Sequence, residues 1–226
     1  MKSSRLLSCC IVALLVALAR AQEPQPSPSE PPIPTWTDEI AKNHLPYHQL
    51  TPDDFPINDT AHPKTAYWVA PFVQYYFHYI ATISQGGIVY ANVTDWTVFS
   101  GFDKNLSSRN SKLALADMKN DLPYIQAVFD IGELHARRLG ALKAGDLPSA
   151  QGRTAGEARA QLEDKIAALS QKRARDAQEE TEAFAKATDN GRNKKKVREL
   201  AGEIKKRLAE IPPGVPAPSP AVSATP

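Results

Sequence analysis

The chain has 226 residues, a formal net charge of +2 and a charged fraction of 23%. These values are ordinary for a globular protein and show none of the basic excess that is typical of nucleic-acid-binding domains, so no nucleic-acid partner is expected. Without the predicted leader and tails roughly 175 residues remain, which is enough for one domain with its own hydrophobic core.

The first residues predict a secretory signal peptide, residues 1–21. Lys2 and Arg5 give a positive start, an apolar run follows, and residues 19–21 read A-R-A, a cleavage site of the A-x-A type. The apolar run is shorter than the roughly 20 residues that a membrane span needs. We therefore expect a secreted or periplasmic mature chain without stable membrane insertion after cleavage.

Cysteine occurs only at Cys9 and Cys10, inside the predicted leader. The mature chain would then contain no disulfide, no thiolate nucleophile and no cysteine ligand for zinc. We expect the fold to depend on its core alone.

Proline-rich segments flank the predicted domain. Residues 22–35 combine proline with Ser and Glu, and residues 212–226 combine it with Ala and Ser. Such compositions bury little apolar surface, which predicts a flexible linker and a disordered tail. Residues 36–211 are the predicted domain.

Residues 65–102 are dense in aromatic and β-branched side chains, a composition typical of strands. Pro71 interrupts the run, and Gly86-Gly87 is a hairpin signal between two apolar stretches. We expect at least one antiparallel hairpin with one face on the core. Trp68 and Trp96 are predicted to lie in that core.

A first helix is predicted from the apolar spacing after residue 120. Asp121 is its predicted N-cap, Pro123 falls in its first turn, and Gly145 is its predicted end. Ile125, together with Val128 and Phe129, belongs to its apolar face.

Two further helices are predicted near the C-terminus. Thr154 and Glu157 form a capping box that begins the first of them, and residues 189–191, D-N-G, interrupt it. The second ends at Pro212. Because the break is short, we expect the two helices to form a C-terminal pair.

Histidines give no recognised metal spacing. His44 and His48 are four residues apart, but Pro46 between them argues against a helix that would bring them together. The sequence also lacks G-x-S-x-G, P-loop and G-x-G-x-x-G motifs.

The N-x-[ST] sequons begin at Asn58, Asn92 and Asn105. They matter only in a host that glycosylates exported proteins. The sequence does not identify such a host.

Residues 129–137 read F-D-I-G-E-L-H-A-R and resemble a motif of the bacterial predicted secreted zinc-dependent proteases, roughly H-E-Q-x-H-F-D-I-x-E-x-Y-A-R. His135 replaces the tyrosine that is usual in the family. Residues 50–55, L-T-P-D-D-F, resemble its L-T-W-x-D-F, and residues 184–191, F-A-K-A-T-D-N-G, resemble its Y-D-x-E-T-x-H-G. The resemblance implies a zincin-like α+β fold, with an antiparallel or mixed sheet and a former active-site helix.

The chain departs from this family at the positions that would carry its chemistry. The two histidines of H-E-x-x-H become Tyr124 and Val128, the glutamate becomes Ile125, and the downstream histidine becomes Asn190. We call these four the substituted positions. Catalytic zinc needs about three nitrogen or oxygen ligands and an open position for water, and the water needs a base. The family implies zinc, but its ligands and its catalytic residues are absent here.

Other motif residues are retained, namely Phe129, Asp130, Glu133 and Arg137. Glu133 and Arg137 are four residues apart on the predicted helix, a spacing at which opposite charges pair. That structural role is sufficient to explain why these residue types occur there.

The sequence thus predicts an exported, catalytically inactive relative of these proteases that acts as a binding or scaffold domain for an unknown protein partner. One alternative is an active metalloprotease with a rearranged zinc site, built from His44, His48 or His135 with Glu133. Another is an unrelated envelope interaction protein. Metal bound to the mature chain would favour the first alternative, and a fold without strands packed on the first helix would favour the second.

Overall fold

The structure is a computed structural model that describes residues 42–60, 66–112 and 115–213, without the side chains of residues 115–120 and Ala144. The predicted signal peptide (1–21) and linker (22–35) lie outside these residues. Of the predicted tail, Pro212 and Pro213 alone are described.

Within the described residues, five strands precede a long helix, a sixth strand follows it, and two further helices end the fold. The α+β class predicted from the sequence is confirmed. The strands are β1 (His44–Pro46), β2 (Tyr67–Trp68), β3 (Pro71–Ile83), β4 (Val89–Asp103), β5 (Ser108–Arg109) and β6 (Ser149–Gly152). The helices are α1 (Leu115–Gly140), α2 (Ala155–Ala187) and α3 (Lys194–Ala209).

The predicted hairpin is formed by β3 and β4, which pair antiparallel from Pro71 opposite Phe102 to Ile83 opposite Val89. Gly87 has a φ of +75°, a conformation that glycine adopts without steric cost, and this closes the turn. β1 and β6 pair with the other edge of β4. β4 is therefore the central strand of this sheet.

The inner face of the sheet packs on α1 and α2. Phe102 of β4 meets Phe129 of α1 edge to face, with ring centroids 5.6 Å apart. Further along β4, Ala91 shares a cluster with Leu162 and Ile166 of α2. Both helices are held on one face of the sheet by these contacts.

α1 is covered on a second side by the C-terminal helices. Ala127 and Ile131 of α1 share a cluster with Phe184 of α2 and with Val197 and Ile204 of α3. Both predicted C-terminal helices are present, and both pack on α1. The retained motif therefore lies on the helix that connects the two parts of the core.

The predicted start and end of the first helix are wrong. α1 begins at Leu115, before Asp121, and it ends at Gly140 rather than Gly145. Pro123 lies inside the helix, where its ring removes one backbone hydrogen bond. Tertiary packing of the later turns, which are buried from Ile125 onward, outweighs this local preference.

One tryptophan also differs from its predicted place. Trp68 is 45% exposed, because it lies in a two-residue strand at the border of the fold. Trp96 is partly buried against the cluster that contains Ala91 and Leu162, and its Nε1 donates to the Leu139 carbonyl at 3.0 Å. Ile125 and Phe129 are buried as predicted, whereas Val128 is partly buried.

The break between α2 and α3 has the conformation that its sequence predicts. Asp189 and Asn190 both have a φ of +51°, and Gly191 has a φ of +85°. Thr154 caps the start of α2 by accepting from the Glu157 backbone N–H at 3.2 Å, as the capping box predicts. Within the described ranges, no helix is long and apolar enough to cross a membrane.

We predict opposite effects of alanine at two glycines. Gly191→Ala should lower the free energy of unfolding by at least about 1–2 kcal/mol, because alanine disfavours positive φ and its Cβ would lie 2.9 Å from the Tyr124 ring. Gly202→Ala, in the interior of α3 with nothing within 4 Å of the added Cβ, should raise it by about 0.5–1 kcal/mol. Urea unfolding measures both, and equal effects of the same sign would contradict this account of the turn.

Candidate functional site

The four substituted positions come together in the structure. Tyr124, Ile125 and Val128 lie on neighbouring turns of α1, and Asn190 lies in the turn after α2. All four line one cavity of about 680 Å³ between α1, α2 and the segment from β2 into β3. The packing of α2 on α1 thus brings Val128 and Asn190 to the same cavity, although they are far apart in the sequence.

The turn after α2 is held against α1 by close packing. Thr188 Oγ1 donates to the Phe184 carbonyl at 2.7 Å and accepts from the Gly191 N–H at 3.3 Å. Gly191 has no side chain and so leaves room for Tyr124, whose ring stacks on Phe184 at 5.4 Å. Asn190 is thereby fixed next to the helix.

These side chains do not fit a zinc ion. Val128 and Ile125 carry no donor atom, and an amide such as that of Asn190 is a poor ligand. Burial raises the pKa of Tyr124 above its ordinary value, so its hydroxyl stays protonated at neutral pH. A tetrahedral zinc site with an open water position needs about three better donors.

The rearranged zinc site, weighed as an alternative, is not assembled either. His48 Nε2 lies 3.1 Å from Asp54, His135 Nε2 lies 2.9 Å from Glu180, and Glu133 pairs with Arg137. His44 of β1 stacks on the Phe72 ring, with the ring centroids 4.0 Å apart. Over the described part of the chain, no three His, Cys, Asp or Glu side chains form a group that could hold a metal.

The retained Glu133 and Arg137 form the predicted ion pair, and the pair is buried. Arg137 Nε donates to Glu133 Oε1 at 2.6 Å, and Ser100 Oγ of β4 donates to the other carboxylate oxygen. Arg137 Nη1 also donates to the carbonyls of Leu208 and Ile211 at 3.3 and 3.1 Å. The pair therefore joins α1 to the central strand and to the end of α3.

Asp130 anchors the segment that follows β1. Its Oδ1 accepts from Tyr47 Oη at 2.9 Å and from Gln126 Nε2 at 2.7 Å. Gln126 Oε1 in turn accepts from the Leu50 N–H at 2.6 Å. Burial, reinforced by the Asp130 charge, raises the pKa of Tyr47, so the phenol remains a donor. Together with the burial of Phe129, these bonds give the retained motif a structural role.

His135 takes part in a charged group that the sequence did not indicate. Its Nε2 meets Glu180 of α2, and both terminal nitrogens of Arg207 of α3 donate to the same carboxylate. Burial alone would raise the pKa of Glu180, but the hydrogen bonds from Arg207 and His135 outweigh it and hold that pKa below its ordinary value. No local motif connects these residues, since Glu180 is 45 positions from His135 and 27 positions from Arg207, and the three lie on three helices.

Several polar atoms around the cavity lack partners. Tyr67 Oη, His135 Nδ1 and Arg173 Nε are buried and make no hydrogen bond with the described residues, and all three residues line this cavity. A buried polar group without a partner costs about 1–3 kcal/mol. Three such atoms at one cavity are therefore unusual, because buried polar groups are nearly always satisfied.

Comparison of the chain with protein-family models, with curated proteins and with solved structures finds no match. The relation to secreted zinc-dependent proteases thus remains a prediction from three sequence motifs. The fold is an α+β arrangement with antiparallel strands.

Loss of the buried ion pair should be far more costly than loss of a more exposed one. Arg137→Met leaves the 5%-exposed Glu133 carboxylate uncompensated and should lower the free energy of unfolding by about 3–5 kcal/mol. The matched change Arg159→Met removes another i, i+4 pair, with Glu163, in which the arginine is 30% exposed, and should cost less than about 1 kcal/mol. Urea titration of both variants checks this, and equal losses would contradict a structural role specific to the motif.

Proposed function

We propose that this chain is an exported, catalytically inactive relative of the secreted zinc-dependent proteases that acts as a binding domain. The observation that carries the proposal is the convergence of Tyr124, Ile125, Val128 and Asn190 on one cavity. The sequence resemblance assigns those positions to the ligands and the base, and in this chain they offer an apolar surface with a phenol and an amide.

The family relation also predicts that these four residues lie near each other in the fold. Three motifs fit the family in order and spacing, from Leu50 to Gly191. An accidental resemblance would carry no expectation that Asn190 lies beside Tyr124, which is 66 positions earlier by the chain numbering. Their shared cavity supports the family relation and, as part of the same proposal, a zincin-like arrangement.

The packing of α1 supports that arrangement further. In the proposed relation, α1 is the former active-site helix, and it lies beneath a sheet whose central strand contributes Phe102 and Ser100 to the contact. An unrelated envelope protein would not require strands on this helix. The C-terminal helices cover its other side through Phe184 and Val197.

The chemistry of the remaining carboxylates favours binding over hydrolysis. A general base must have a free lone pair within reach of the proton that it takes. Ile125 has none, and Glu133, which Arg137 and Ser100 hold, does not line the cavity. Asp130 accepts from Tyr47 and Gln126 through Oδ1 alone, and it does not line the cavity either. None of these groups is placed as a base at the substituted positions.

Export and a protein partner belong to the same proposal. The leader and the proline-rich linker are typical of an exported chain whose domain is presented at a distance from its neighbours. A domain that keeps its fold while it lacks the catalytic residues retains a surface and a cavity for binding. We propose that its role in a secreted or periplasmic setting is that of a binding or scaffold domain.

Zinc content tests this proposal. The mature chain, dialysed against micromolar zinc and then against buffer, should retain well below one equivalent of metal and cleave no peptide. The matched variant Tyr124→His/Val128→His/Asn190→His restores the three histidines of the resemblance and should retain about one equivalent. Elemental analysis by mass spectrometry measures both, with circular dichroism as the control for folding.

The two measurements test the absence of catalytic zinc and the family relation separately. Stoichiometric zinc in the unchanged chain would contradict the proposal that the domain is catalytically inactive. A folded triple variant that binds no zinc would contradict the relation to the protease family, since the three positions would then lack the geometry of its site.

A further inference from the structure

The cavity at the substituted positions extends along two helix faces. Its lining recurs every three or four residues, with Gly132 and Ala136 on α1 and with Ser170, Ala174 and Ala177 on α2. This spacing places the residues of each helix on one face. Because they are small, the two faces cannot interdigitate fully, and an open space remains between the helices.

The size and lining of this space are those of a small-molecule site. Its volume of about 680 Å³ falls inside the range of roughly 300–1,000 Å³ that is usual for ligand pockets. Val69, Ile125, Val128 and Leu139 give it apolar walls. At its border Val73 is 43% exposed, so the apolar surface continues to the outside.

Polar groups meet this apolar space from three elements. Tyr67 of β2 is 2% exposed and His135 of α1 is 7% exposed, and the Tyr67 hydroxyl and His135 Nδ1 have no hydrogen-bond partner among the described residues. His135 Nε2 already contacts the Glu180 carboxylate at 2.9 Å. This contact fixes the ring, and Nδ1 is the nitrogen that remains for a ligand. Arg173 of α2 lies 3.6 Å from Asp176 through Nη1, while its Nε has no partner.

The charges of these groups select an anion. The guanidinium of Arg173 is always protonated. Burial, opposed by the charge of Arg109 and reinforced by those of Asp121 and Asp53, raises the pKa of Tyr67, so its hydroxyl is a donor at neutral pH. Glu182, which also lines the cavity, is exposed and accepts from Gln178 Nε2 at 2.9 Å, so its negative charge is at the solvent side. A charged donor at the wall of an apolar cavity is complementary to a single carboxylate.

We propose that this cavity binds an amphipathic monocarboxylate, whose apolar part lies between α1 and α2 and whose carboxylate meets Arg173. The inference rests on the proposed function, because it gives a ligand class to the same four substituted positions. Small polar anions such as inorganic phosphate are not expected to bind, since the lining offers them too few donors for their charge.

A fluorescent probe pair tests the charge requirement. 11-(Dansylamino)undecanoic acid, titrated with the full mature chain in zinc-free buffer, should bind saturably with an enhanced emission. Its methyl ester has the same apolar body without the negative charge and should bind at least about tenfold more weakly. Equal affinity of the two probes, or no saturation with the acid, would overturn the proposal.

Matched variants test the location. Arg173→Met keeps the length of the side chain and should weaken the acid about tenfold while leaving the ester unchanged. Arg175→Met, two positions further on α2 and exposed, should leave both probes unchanged. Ala177→Phe should fill the space and remove both. If Ala177→Phe does not fold, the comparison of Arg173→Met with Arg175→Met tests the location. Equal effects of these two variants on probe affinity would overturn the assignment.

The same titration separates this inference from the proposed function. Absence of probe binding in a chain that also retains no zinc would overturn the ligand class and leave the inactive-relative proposal standing. Zinc that is retained stoichiometrically and displaces the probe would overturn both, since the cavity would then be a metal site.

Discussion

A buried negative charge on α1 sets the arrangement of the elements around it. Glu133 lies between the helix and the central strand, where an uncompensated carboxylate would cost several kcal/mol. Arg137 on the next turn and Ser100 of β4 supply the compensating charge and hydrogen bond, and Arg137 also meets carbonyls at the end of α3. The sheet, α1 and α3 therefore take positions that satisfy one side chain.

The second polar network acts on the other part of the same helix. Asp130 and Gln126 bind Tyr47 and the Leu50 backbone, so the segment after β1 is tied to α1 while Phe129 enters the core between them. The retained motif residues thus hold the fold, and the substituted positions face a cavity. In the proposed relation, separation of these two roles would let catalytic groups be exchanged while the architecture stays intact.

Local signals in the sequence were sufficient for the elements and insufficient for their partners. Gly86-Gly87, the Thr154 cap and the turn at Asn190 each act through their own backbone, and each is found where the sequence predicted it. The predicted start of α1 was wrong because the preference of Pro123 for a first turn is weaker than the tertiary packing of the helix.

Long-range contacts gave no local signal. Ser100 and Glu180 meet α1 from remote parts of the chain, and no spacing rule connects them with Glu133 or His135. The cavity is also a property of several elements, since it arises where the small residues of two helices face each other. The four substituted positions were found through the family resemblance, and their proximity became visible only in the structure.

Anomalous diffraction at the zinc absorption edge tests the central claim most directly. Crystals of the mature chain grown with zinc should show the side chains of Tyr124, Val128 and Asn190 around an apolar cavity, with no anomalous peak between them. A zinc peak coordinated by groups at this cavity would contradict the claim that the former metal positions have become a binding pocket.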